Sequence, residues 1–188
     1  MNILIFGISN VGKTTIGKKI AEKLQYEFVD IDDEIKKYYG YQSILEFVCS
    51  NPYQVYRDQK RGYMIELQIR QPGNRVIAVP PLYYTRYYTA YLNRAVSEVV
   101  RIELIDSPEN IFERLIFTDD NDNEYTDNDY KMSHRDYYIK EIKKEMTAFK
   151  AAFSKIENKV YIDGLNVEEA ANLVIIQCGL RKGEDLTT

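Results

Sequence analysis

The sequence predicts an α/β chain built on a mainly parallel sheet, and three observations carry that expectation. Short apolar runs alternate with amphipathic stretches along the chain, the signature of strands interleaved with crossover helices. The 188 residues, 45% of them apolar, suffice for one substantial hydrophobic core and leave little for a second. No internal repeat and no interdomain linker divides the chain, so a single domain over residues 1–188 is expected.

Taken in order, the strands are expected at Asn2–Phe6, Glu27–Ile31, Arg75–Val79, Glu98–Ile105 and Lys159–Ile162, each a short apolar run. Between the first two, Thr14 to Leu24 carries Ile16, Ile20, Ala21 and Leu24 at helical spacing. Asp32 to Tyr39 reads as a short helix stopped by Gly40. Ser43–Cys49 and Tyr53–Ile69 follow as helices, the second ending before Pro72-Gly73. Tyr87–Val96 is a further helix. Ser107-Pro108-Glu109 is a capped start with proline at the first helical position, running to about Phe117. Residues 118–133, "TDDNDNEYTDNDYKMS", lack periodicity and read as a solvated surface loop. His134–Glu157 is a long polar helix, Val167–Cys178 an amphipathic one, and "RKGEDLTT" a frayed tail.

Composition narrows the partners. A net charge of −4 gives no reason to expect nucleic acid or an anionic membrane. No stretch approaches the roughly 20 apolar residues that span a bilayer. The first strand starts at once, leaving no room for a signal segment. Cys49 and Cys178 lack metal-ligand spacing and read as reduced packing residues, so a cytoplasmic location is expected. His134, the lone histidine, is expected at a helix start or on the surface.

The sharpest local signal is Gly7-Ile8-Ser9-Asn10-Val11-Gly12-Lys13-Thr14, which fits G-x-x-x-x-G-K-[ST] at every fixed position. It lies between an apolar strand and an amphipathic helix, the context that the motif needs. Gly7 and Gly12 let the backbone curl so that amides of Asn10, Val11, Gly12, Lys13, Thr14 and Thr15 face phosphate oxygens. Lys13 adds charge at the β- and γ-phosphates, and the Thr14 hydroxyl is suited to Mg²⁺. ATP with Mg²⁺ is the expected ligand pair. "FVDIDDEI" then places Asp30 and Asp32 on one side of an extended segment, at the sheet end where ligands bind. Asp32 is the expected base for an acceptor hydroxyl and Asp30 the metal-side residue. The simpler alternative is that Asp32 or Asp33 caps the next helix.

With these stretches, Gly40, "SILEFV" and "YRDQKRGYMIEL", the chain resembles the shikimate kinase family of P-loop proteins, best over residues 1–70. The resemblance implies a three-layer α/β/α fold with a five-stranded parallel sheet in the order 2-3-1-4-5. It also implies a substrate-binding helical region at about 32–72 and a lid at about 118–134. It places Arg57 where the family grips a substrate carboxylate, and guanidinium suits that role through paired hydrogen bonds. Arg135 falls near the family's second such arginine. Arg114 falls near its adenine site, or is an ordinary solvated helix residue. "DGLNVEE", residues 163–169, matches the adenine-wrapping loop and is equally a normal helix-starting turn.

Three departures stand out. The family's Gly-Gly-Gly run is replaced by "VIAVPPLYY", in which Pro80 and Pro81 remove two amide donors. Lys60 stands where a glutamate partner of Arg57 is expected. Residues 118–130 contain no base but six acids, namely Asp119, Asp120, Asp122, Glu124, Asp127 and Asp129. The expected function is ATP-dependent phosphorylation of a hydroxyl on shikimate or a related acidic or polyhydroxylated metabolite. A nucleoside, nucleotide or sugar-acid kinase of the same fold, and a nucleotide-binding protein without catalysis, are the alternatives. A small-molecule substrate is the expected partner, and a monomer or weak dimer the expected state.

Overall fold

All five residues of β1 (Asn2–Phe6) are buried, as an apolar run with sheet on either side requires. In this computed structural model, which describes residues 1–92 and 98–182, β1 is the central strand. On one side it pairs with β3 (Arg75–Ala78), which pairs with β2 (Glu27–Asp30). On the other it pairs with β4 (Val99–Ile105), which pairs with β7 (Asn158–Tyr161). All four pairings are parallel, in the order β2-β3-β1-β4-β7. The expected 2-3-1-4-5 order is therefore found, with a small antiparallel hairpin, β5 (Phe117–Thr118) and β6 (Glu124–Tyr125), shifting the label of the last strand. Because the chain leaves β1 toward β2 and later crosses to β4, the carboxyl end of β1 lies at the switch point where such sheets bind ligands.

α1 (Lys13–Leu24) packs on α9 (Val167–Gln177) and against β3. Its buried stripe is the predicted Ile16, Ile20, Ala21 and Leu24, plus Gly17. A Cβ on Gly17 would lie 2.8 Å from the Phe28 ring, so helix and sheet approach only because none is there. α2 (Ile31–Tyr39) ends at left-handed Gly40, and Ser43 caps α3 (Ile44–Ser50). α4 (Gln54–Arg70) and α5 (Thr85–Leu92) pack together. α6 (Pro108–Glu113) lies against α8 (Arg135–Phe153). Asn166 and Glu169 form a reciprocal cap on α9, the helix-starting role expected of "DGLNVEE". No described helix is long and apolar enough to cross a membrane.

The differences from the sequence expectation have physical causes. β2 stops at Asp30 because that carboxylate accepts from the Asp32 amide and starts a helix. The segment that was expected to be extended therefore turns. α6 ends at Glu113, where Lys131 Nζ donates to the Glu113 and Leu115 carbonyls at 2.8 and 3.2 Å. Residues 118–133 are not a structureless loop. The Asp119 carboxylate accepts from the Asn121 and Asn123 amides, closing the hairpin, and Asp127 caps α7 (Asn128–Ser133). Phe117 stacks on Tyr125 with ring centroids 5.7 Å apart, which anchors the hairpin. The long polar helix ends at Phe153, not Glu157. Of the Tyr87–Val96 expectation, residues 93–96 lie outside the described residues, as do residues 183–188 of the tail. Cys178 packs against the core, but Cys49 is exposed on the face of α3 opposite buried Phe47.

Candidate active site

The loop after β1 is shaped by two glycines that no other residue replaces without strain. Gly7 has φ 145° and Gly12 φ 106°. A Cβ on Gly7 would lie 2.9 Å from the Leu104 carbonyl oxygen, and one on Gly12 would lie 3.0 Å from Ile16 Cδ1. Asn10 completes the curl with φ 59°. Val11 is buried and pins the loop to the core, while Thr14 and Thr15 are exposed at the amino end of α1. That end presents unpaired amides and a positive dipole. No side chain caps it.

Lys13 curls back over the loop and donates to the Gly7 and Ile8 carbonyls at 3.0 and 2.7 Å. Burial lowers its ammonium to about 8, against the opposing pull of Glu145, Asp32 and Asp30. Thr14 Oγ1 donates to Asp30 Oδ2 at 2.7 Å. Burial raises the Asp30 carboxyl above its ordinary value, aided by the Asp32 charge and resisted by the Thr14 bond. Asp30 is also the helix cap, accepting from the Asp32 amide at 3.0 Å, so capping falls to it and not to Asp32 or Asp33.

Asp32 sits in the first turn of α2, and its Oδ1 accepts from Arg61 Nε at 3.0 Å, with Nη2 also at 3.0 Å. Arg61 is buried, and its guanidinium covers the Phe47 ring at 5.3 Å. Asp32 Oδ2 accepts no bond among the described residues and is the free face of the pair. Sequence reasoning missed Arg61. The arginine that it chose, Arg57, is one turn earlier and donates to the Asn51 and Pro52 carbonyls and to Gln54. The structure does not bring Arg57 to Asp32. Spacing held the signal, since residues i and i+4 share a helix face.

Asp58, also missed, is fully buried and accepts from the Tyr83 and Tyr84 amides, both at 2.9 Å, and from Gln54. It anchors the chain that leaves β3 through Pro80 and Pro81, with Leu82 buried beyond them. Lys60 donates to the Tyr41 hydroxyl and lies over the Tyr39 ring at 4.5 Å. Tyr38 and Tyr39 meet edge to face, and Tyr83 rests on Phe149 at 4.4 Å.

Arg114 pairs with Asp106 at 2.5 Å. Burial would raise the Asp106 carboxyl, but hydrogen bonds from Asn110, Arg114 and the Ser107 amide hold it below the usual range. The Gly164 amide also reaches Asp106 at 3.2 Å, so Arg114 and the 163–165 turn meet at one carboxylate. Arg114 Nε is buried without a partner. Arg135 lies elsewhere, its guanidinium over the Phe112 ring at 5.7 Å in an open groove with Glu109 and Lys143. His134 stands between α7 and α8 with Nδ1 2.9 Å from the Tyr130 carbonyl oxygen, the helix-start role expected.

The acidic hairpin is docked. Asp122 accepts from Lys36 at 2.9 Å and from the Ile44 amide at 2.9 and 3.1 Å, joining residues 117–125 to α2 and α3. Among the described residues no group of three or more His, Cys, Asp or Glu could hold a metal by itself. Thr14 and Asp30 instead offer one hydroxyl and one carboxylate, a set that suits Mg²⁺ completed by phosphate oxygens and water.

Comparison with known proteins bears on the family and the fold. The family model described as shikimate kinase matches residues 9–160. A shikimate kinase of Bacillus pumilus (strain SAFR-032) is 38% identical over 66 residues, 35% of each chain. The matched segment thus spans about a third of that relative's length. A shikimate kinase from Bacteroides thetaiotaomicron superposes with TM-score 0.71 at 18% identity, covering 94% of this chain and 97% of its own. One from Acinetobacter baumannii, solved in complex with shikimate, gives TM-score 0.68 at 16% identity over 99% and 95%. At such identities the structural likeness speaks for the fold.

Proposed function

The chain belongs to the shikimate kinase family, and from that premise we propose that it transfers the γ-phosphoryl group of ATP to a hydroxyl of shikimate or a related acidic or polyhydroxylated metabolite. The observation that carries the reading is the grouping of Lys13, Thr14, Asp30 and Asp32 at the carboxyl end of β1 and β2. Phosphate binding and a hydroxyl-directed carboxylate occur there within one electrostatic neighbourhood.

The loop from Gly7 to Thr15 holds the phosphates through its amides, and Lys13 compensates charge that develops on the transferring group. Thr14, with Asp30 behind it, would hold Mg²⁺, which would supply positive charge to offset that of the phosphates. Asp32 receives or orients the acceptor's proton through Oδ2, while Arg61 fixes Oδ1. The contact of Arg61 with Asp32 supports Arg61 as the guanidinium that meets an acidic acceptor, alongside Arg57 one turn earlier on the same helix. Arg114 and the 163–165 turn bound the region for the base of the nucleotide. Residues 32–72 serve as the acceptor-binding region and 118–134 as a lid, the Asp122 contact joining the two. The same reading places the protein in the cytoplasm as a monomer or weak dimer.

A specific observation keeps a second acceptor in view. Pro80 and Pro81, with Leu82 buried behind them, close the space that a triple glycine would open. That favours an acceptor smaller or more flexible than a ring acid, such as a sugar acid. Acceptor-stimulated ADP release, measured with shikimate, gluconate and nucleosides in parallel, tests the proposal. Stimulation by shikimate supports the first acceptor, stimulation by gluconate alone the second. ATP binding with no stimulation by any of them would contradict kinase activity.

A further inference from the structure

A carboxylate from a distant helix already occupies part of the phosphate loop. Glu145 Oε1 accepts from the Ser9 amide at 2.9 Å and from Ser9 Oγ at 2.8 Å, across 136 positions of sequence. It is carried by α8, whose flanking Ile142 and Phe149 are buried, so a packed helix and not a mobile loop presents it. The neighbouring lysines are engaged elsewhere, Lys144 with Glu141 and Lys143 with Glu109. Among the described residues Glu145 forms no direct ion pair. Its partners are two donors of the loop.

The side of the loop matters. Lys13 Nζ rests on the Gly7 and Ile8 carbonyls, immediately before Ser9. In this motif the lysine reaches the β- and γ-phosphates, so Ser9 lies toward the terminal phosphate. Of the charges acting on Lys13, that of Glu145 acts most strongly, ahead of Asp32 and Asp30. One anionic oxygen, Oε1, takes both Ser9 donors, as a single oxygen of a phosphate can. A terminal phosphate needs the donors that Glu145 holds and is repelled by its charge. A diphosphate, one group shorter, leaves the contact in place.

We propose that Glu145 is a built-in competitor for the terminal phosphate, and that its contact with Ser9 sets the relative affinity of the loop for nucleoside triphosphate and diphosphate. This rests on the nucleotide site described above. The consequence is a site that holds the triphosphate less tightly than its donors allow and re-forms the Ser9–Glu145 contact once the terminal group has left.

Calorimetric titration of a non-hydrolysable ATP analogue and of ADP, both with Mg²⁺, tests the idea on the full chain. Glu145→Gln is expected to tighten the analogue about tenfold, a value reduced for solvent exposure of the contact, and ADP less than about twofold. Glu145→Asp keeps the charge but shortens the reach, and is expected to recover about half of that gain in logarithmic terms. Glu141→Gln, one turn away, is expected to change neither. An unchanged triphosphate-to-diphosphate ratio in Glu145→Gln would overturn the inference. So would a Glu145→Asp that behaves as wild type, or an equal gain from Glu141→Gln, because either would mean bulk charge and not competition at Ser9. Wild-type protein that is folded yet binds neither nucleotide would defeat the nucleotide site itself, a separate and recognisable failure.

Discussion

Replacing Arg61 with alanine isolates the Asp32–Arg61 pair, on which the proposed acceptor site rests. The substitution removes two nitrogen contacts to Asp32 Oδ1, each at 3.0 Å, and uncovers Phe47. Breaking a buried ion pair costs about 3–5 kcal/mol. The Asp32 side chain is 28% exposed and recovers some hydration, which brings the figure down to about 2 kcal/mol. The lost cation–π contact adds about 0.5–1 kcal/mol. A total of about 2–3 kcal/mol corresponds to a fall in Tm of roughly 5–10 °C for a chain of this size. Arg57→Ala removes bonds to two local carbonyls and Gln54, and is expected to cost about 1 kcal/mol. Differential scanning calorimetry and urea titration measure both. In the transfer assay Arg61→Ala is expected to lose about a hundredfold in kcat with ADP affinity nearly unchanged, since the lost group orients the base and not the nucleotide. Arg61→Lys is expected to recover part of the loss. If Arg57→Ala cripples transfer while Arg61→Ala leaves kcat intact, the assignment of Arg61 is wrong.

Further expectations follow from the same geometry. Lys13 titrates at about 8 in the free protein, below its ordinary 10.5, so burial of the charged amine weakens the fold below pH 8 and that penalty is relieved as pH rises from about 8 to 10.5. A bound phosphate favours the charged form, so the complex holds more protons than the free protein in this window. Nucleotide affinity should therefore fall by up to about tenfold per pH unit above 8, with about three quarters of a proton taken up on binding at pH 8.5. Calorimetry in two buffers of different ionisation enthalpy reads this, and no uptake would refute it. Asp30→Asn keeps a good helix cap, so stability should change by less than about 0.5 kcal/mol while the Mg²⁺ needed for half-maximal transfer rises about tenfold. An unchanged Mg²⁺ requirement would reduce Asp30 to a cap. Asp122→Asn tolerates the left-handed backbone at that position (φ 61°) but loses the charge facing Lys36. Amide exchange in residues 117–125 should accelerate about three- to tenfold with global stability nearly constant, and unaltered exchange would mean that the contact does not hold the hairpin.

What the sequence revealed and what it hid divide along physical lines. β1 and the loop after it were legible because an apolar run followed by glycines at fixed spacing has few other uses. Helix ends at Gly40, Ser43 and Ser107 were legible because capping is local chemistry. The hairpin at 117–125 was not, because six acidic residues suggest solvation, whereas Asp119 spends its oxygens on a turn and Asp122 on Lys36. Arg57 and Arg61 share one face of α4, one turn apart, and a motif does not fix which turn of that face lies beside Asp32. Asp32 reached the site by a different route from the one expected, in the first turn of a helix capped by Asp30 and not along a strand. Glu145 had no sequence signal at all. Only the packing of α8 brings it to Ser9.

The central claim is that the amides and lysine of the first loop hold a nucleotide whose terminal phosphate passes to a hydroxyl beside Asp32. Its most direct test is steady-state ADP formation with and without shikimate, in wild type, Lys13→Ala and Asp32→Asn. The account predicts shikimate-stimulated turnover in wild type, none in Lys13→Ala, and in Asp32→Asn a kcat lower by roughly 10²–10⁴ with ADP still bound. Turnover at the wild-type rate in Lys13→Ala would contradict it.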